Sequence, residues 1–153
     1  MKRVDKFEIA DEMLEAAVIE YLDNHRYFVA LNLACVAEEL YGKYANITTG
    51  SNVMQDNIRA ANEFAALDGV TDISIKEWKK IAGLSKNSIK HFDTESDRYI
   101  EIDAEDESRL AIADALSNHT ILNRAVTHTL QRFYDFGREL ALKNAHIQQA
   151  TNG

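Results

Sequence analysis

Val29-Ala30-Leu31-Asn32-Leu33-Ala34-Cys35-Val36-Ala37 is the stretch on which the fold turns. Asn32 is its only polar residue, and β-branched side chains do not dominate it. A segment this apolar cannot be a one-sided surface helix, so it reads as the central helix of a bundle, running from about Tyr27 to Tyr44. The polar triplet Asp23-Asn24-His25 precedes it. Before that break, Phe7, Ala10, Met13, Leu14, Ala17, Val18 and Tyr21 recur at three- and four-residue steps, which predicts a helix over about Lys6 to Asp23. So short a connection makes the two helices antiparallel neighbours.

Downstream, Asn46 to Ser51 reads as a loop containing Gly50. Ser51 or Asn52 is placed to cap a third helix, with Met54, Ile58, Ala61 and Ala65 on one face and Asp68-Gly69 at its end. The clearest start signal follows: Ser74 and Glu77 have capping-box spacing, with Ile73 and Trp78 at the staple positions. This predicts a helix from Ser74 to about His91. Asp93 to Asp97 reads as a polar loop, and the alternation of Tyr99-Ile100-Glu101-Ile102-Asp103 as a brief extended piece. Asp103 should cap a helix carrying Leu110, Ala113, Leu116 and Ile121, with Glu105, Asp106 and Glu107 favourably placed at its positive end. Asn123 marks a break before a last helix with Val126, Leu130, Phe133, Gly137 and Leu140, and the polar tail from about Asn144 reads as frayed. The expectation is an all-α compact bundle of five to six helices. It forms one domain over 1–145 with a polar tail at 146–153.

Composition agrees. The 153 residues include no proline and six glycines, and 46% are apolar. That favours helix and a core that needs neither disulfide nor metal. The lone Cys35 reads as a small buried hydrophobe, and one cysteine without an internal partner suits a reducing compartment. No apolar run is long enough to span a membrane, and acidic residues interrupt any leader-like stretch after Met1. A cytoplasmic protein without membrane contact is expected. The net charge of −8 disfavours sequence-independent nucleic-acid binding. The local exception is the basic run of Lys76, Lys79, Lys80, Lys86 and Lys90.

Few residues carry a chemical signal. On a helix whose core face holds Trp78, Ile81, Ala82, Ser85, Ile89 and Phe92, Asn87 and His91 fall one turn apart and roughly opposite that face. Asp93-x-Glu95-x-Asp97 has the spacing that opens a calcium loop, but Arg98 and Ala104 stand where glycine and glutamate are needed. His119 and His128 lack acidic or thiol companions at helical spacing and read as structural or surface residues. No Glu-x-x-His pair occurs, which argues against a di-iron bundle. No metal or other cofactor is expected.

Lys86-Asn87-x-x-x-His91, taken with the helical hairpin from Leu22 to Leu40, resembles the HEPN domains. Their motif is Arg, often followed by Asn, then His after four to six residues; here Lys86 stands in the Arg position. A second likeness is to a family of small helical bacterial proteins, on Ala37-Glu38-Glu39-Leu40 and Asn87-Ser88-Ile89-Lys90-His91-Phe92-Asp93. The resemblance covers roughly residues 10 to 122. Many HEPN proteins are ribonucleases of bacterial defence and toxin–antitoxin systems, acting on the scissile phosphate in a cleft between two protomers. The resemblance thus implies His91, Asn87 and Lys86 as candidate catalytic residues, with Lys90, Lys79 and Lys80 as phosphate or partner contacts. Glu39 or Glu38 would be the carboxylate orienting the imidazole. Lysine keeps the charge of arginine but loses its planar fork. With the acidic charge, that departure favours a non-enzymatic interaction or regulatory protein, homodimeric, over a metal-independent ribonuclease. A protein that inhibits a host factor is a further possibility. RNA is a partner only in the ribonuclease reading.

Overall fold

Asp5 begins the first helix by accepting a hydrogen bond from the backbone N–H of Phe7 at 3.0 Å, filling one of the orphan donors of a helix start. Helix α1 then runs Lys6–Leu22, α2 Tyr27–Thr49, α3 Val53–Leu67, α4 Ala104–Ile121 and α5 His128–Thr151, with a 3-10 turn over Glu95–Arg98. The computed structural model describes residues 1–67, 89–90 and 93–151. Among these residues there are five α-helices and no strand. The capped helix expected over Ser74 to His91 falls almost wholly outside them.

Helix α2 is the centre of the bundle. It packs along α4 on one side and α1 on the other, while α3 and α5 attach more lightly to α4 and α1. The seam is built from small side chains: Ala10 and Ala17 of α1, Ala30, Ala34 and Ala37 of α2, and Ala115 of α4 are all fully buried. Small residues let helix axes approach closely, and Leu14, Val18, Ile112 and Leu116 fill the space around them. Cys35 is buried, as its apolar neighbours imply.

An aromatic group attaches α5. Tyr21 of α1 meets Phe133 and Phe136 of α5 edge-on, at centroid separations of 5.7 and 5.6 Å, and Tyr27 of α2 at 5.4 Å. Burial, with Glu105 close by, pushes the Tyr21 phenol up to about 12. At the rim the Arg132 guanidinium donates to both carboxylate oxygens of Asp23, which lowers the pKa of that carboxyl.

Three local expectations are corrected. The loop expected from Asn46 is helix as far as Thr49, since the left-handed stop comes only at Gly50, and the Thr48 and Thr49 hydroxyls donate back to carbonyls of the preceding turn. Gly50 then ends it in the left-handed conformation, φ 79°, which glycine adopts without strain. The brief extended piece is present, with Tyr99 and Asp103 both in the extended region. Val126 lies before the last helix, and the stretch expected to fray after Asn144 is helical to Thr151. The break at Asn123 is present, with φ 52°.

Helix α3 is anchored by side-chain amides. Asn52 accepts from Gln55 N–H at 3.1 Å as its cap and donates to the Gly42 carbonyl at 3.2 Å. Asn118, fully buried on α4, accepts from Val53 N–H at 2.9 Å. That bond sets which way the amide points, because a buried N–H needs an acceptor. Nδ2 is then turned toward Gly42, where a Cβ would lie 3.0 Å from it. Gly42→Ala should therefore destabilise the protein although alanine is the better helix former by about 1 kcal/mol. The amide cannot yield without weakening its bond to Val53. A lowered denaturation midpoint together with faster hydrogen exchange at the Val53 amide would register this.

Candidate functional site

The best-developed polar cluster among the described residues joins parts of the chain far apart in sequence. Asp11 sits on the α1 face turned toward the α4–α5 connection. The hydroxyl of Tyr41, fully buried on α2, donates to Asp11 Oδ1 at 2.5 Å. Arg124, just past the left-handed Asn123, donates Nε to the same oxygen at 3.0 Å and Nη2 to Oδ2. The guanidinium lies 4.6 Å from the centroid of the Phe7 ring and 5.9 Å from that of Tyr41. The cluster is self-consistent. Bonding to Asp11 holds the Arg124 pKa above its ordinary value. Burial, reinforced by the Asp11 carboxylate, raises that of Tyr41 and keeps the phenol a donor.

His119 of α4 lies edge-on to Tyr41 at 5.6 Å and is almost fully buried, so it is a core residue rather than a surface one. Its Nδ1 has no hydrogen-bond partner among the described residues. Burial first, and then the Arg124 charge, lower its pKa, while the more favourable Asp11 only partly opposes them. His128 is exposed at the start of α5. Asp114 lies further along α4, where burial raises its carboxyl pKa against a hydrogen bond from Asn57.

Chemically, the Asp11 cluster is closed. Asp11 accepts both the bidentate fork of Arg124 and the hydrogen bond of the Tyr41 hydroxyl, and two aromatic rings lie against the guanidinium. Little remains to grip a phosphate or move a proton in a substrate.

His91, Asn87, Lys86, Lys79 and Lys80 lie outside the described residues. Lys90 is exposed in a turn. Glu39 is exposed and accepts from Lys43 Nζ at 2.6 Å, one turn along α2. Glu38 is half-buried, with Oε1 lying 3.3 Å from where a Gly42 Cβ would be. The orienting role expected of Glu38 or Glu39 toward His91 also falls outside the described residues. In the supposed calcium loop, Asp97 Oδ2 accepts from the backbone N–H groups of Asp93 and Thr94 at 3.0 and 2.8 Å. It caps its own turn, which lowers its pKa. Among the described residues no group of three His, Cys, Asp or Glu side chains is placed to hold a metal ion.

Asp11, Tyr41 and Arg124 carried no signal in the sequence, because 30 and 113 positions separate the partners. Comparison with known proteins finds no matching family model, no matching curated protein and no matching solved structure.

Two measurements probe the cluster. Asp11 and Arg124 keep 41% and 28% side-chain exposure, so water screens their pairing. A double-mutant cycle of Asp11→Asn with Tyr41→Phe should give a coupling of about 1 kcal/mol in urea denaturation. For His119, the unfolded chain takes up its proton near the ordinary value of 6.5 and the folded protein only at lower pH. Within that window the unfolded state binds more protons, so stability falls as pH drops below that value and is unaffected above it. His119→Gln should flatten this acid-side slope of the denaturation midpoint.

Proposed function

We propose that this protein is a non-enzymatic interaction or regulatory protein on an HEPN-like bundle, forming homodimers and acting in bacterial conflict of the defence, toxin–antitoxin or phage–host type. The observation that carries the reading is the closure of the Asp11–Tyr41–Arg124 cluster. The arginine held among aromatic rings is spent on tying helices together rather than offered to a phosphate. Two facts support it. Lys86 replaces the motif arginine, and the chain is strongly acidic. Large apolar side chains also stand in solvent on α2, with Phe28 53% and Ile47 77% exposed, as on surfaces that meet other proteins.

The Asn87-x-x-x-His91 spacing favours a second reading, a metal-independent ribonuclease using His91 with Asn87 and Lys86. In it the imidazole moves a proton and the lysine steadies phosphate charge. The two readings separate cleanly. Purified protein incubated with structured and single-stranded RNA should leave both intact, and His91→Ala should behave like the parent. Cleavage that disappears in a folded His91→Ala variant would put the enzyme in place of the interaction protein.

A further inference from the structure

A groove of about 710 Å3 lies between the start of the chain and the C-terminal half of α2. Residues 3–8 form one wall, and the stretch from Leu40 to Ile47 forms the other. Its floor is fixed. Phe7 meets Tyr44 edge-on at 4.7 Å, and the guanidinium of Arg124, itself bound to Asp11, lies against the Phe7 ring. Val4 and Ile47 stand on the lips, 49% and 77% exposed. The pocket therefore has an apolar base that the protein does not cover with its own described side chains.

The charge at its rim is the reverse of the chain's. Lys43 is paired with Glu39, and Asp5 caps α1 while keeping its negative charge. Arg3 and Lys6 are exposed and form no ion pair among the described residues, with Lys2 adjacent to them in sequence. Glu8 is the one carboxylate on the rim without such a commitment. Over residues 2–8 the cations Lys2, Arg3 and Lys6 outnumber the carboxylates Asp5 and Glu8 by one, on a protein whose net charge is −8.

We infer that this groove receives an acidic amphipathic helix of a partner protein, with apolar anchors seated on Phe7 and Tyr44 and carboxylates paired to Arg3 and Lys6. This rests on the interaction reading and names its surface. A helix is the fitting shape because its anchors recur at three- and four-residue steps along one face, whereas an added strand needs a sheet edge, and no strand exists among the described residues. A lipid surface fits less well. A flat bilayer does not enter a concave groove, and an anionic leaflet, unlike a short peptide, would face the acidic remainder of the protein as well.

The test uses the full chain and short random peptides displayed on phage. Selected peptides should carry net negative charge and apolar residues at helical spacing. As synthetic peptides they should bind about tenfold more weakly to Ile47→Asp, and similarly more weakly to the Arg3→Glu, Lys6→Glu double variant. Binding should also weaken as salt is raised. All three positions are exposed, so circular dichroism should show an unchanged fold. The inference is overturned if selection yields no peptide, yields basic ones, or yields peptides indifferent to Ile47→Asp. It is equally overturned if phosphatidylserine vesicles, or a second copy of the chain detected by light scattering, prove to be what Ile47→Asp releases. RNA cleavage dependent on His91 would remove the interaction reading alone and leave the peptide result standing as a separate fact.

Discussion

A single carboxylate, that of Asp11, ties together three parts of the chain that local forces leave independent. Helix α1 supplies it, α2 supplies the Tyr41 hydroxyl, and the connection after α4 supplies the Arg124 fork. Apolar packing along the alanine seam is non-directional. A hydrogen-bonded ion pair with a fixed fork adds direction, since it is satisfied at one relative placement. The consequences spread outward. The guanidinium holds the Phe7 ring, Phe7 meets Tyr44, and together these make the floor of the groove at the end of α2.

The interior around this point is more polar than the apolar pattern implies. Asn118 and His119 are consecutive on α4, and both are buried against α2. One uses its carbonyl oxygen to start α3, and the other stacks its ring edge on Tyr41. Each keeps one ring or amide nitrogen without a partner among the described residues, which costs stability in a low-dielectric setting. That cost is tolerable because the surrounding alanine and leucine seam is continuous, and because Gly42 leaves room for the amide.

The interaction reading proposed above would place function on the outside of the bundle rather than in its interior. The buried polar groups face one another across helix seams and are engaged in holding them. The surface described combines a strong overall negative charge with a local departure from it at the basic start of the chain. Charge of this kind shapes which partners approach and from which direction more than it shapes the fold.

Helix identity and order were legible in the sequence wherever the cause was local. The apolar run through Ala34, the stripe from Phe7 to Tyr21, the cap at Asp103 and the left-handed Asn123 each act within a few residues, so α1, α2, α4 and the break before α5 could be read directly. The extension of α2 to Thr49 was less legible, because threonine hydroxyls can bond back to helix carbonyls or favour a turn with nearly equal ease. The tertiary structure alone decided that Asp11 would meet Tyr41 and Arg124, that His119 would be buried, and that Arg3 and Lys6 would border an open apolar groove. Those outcomes depend on how whole helices lie against one another, and no spacing along a chain encodes a contact between residues more than a hundred positions apart.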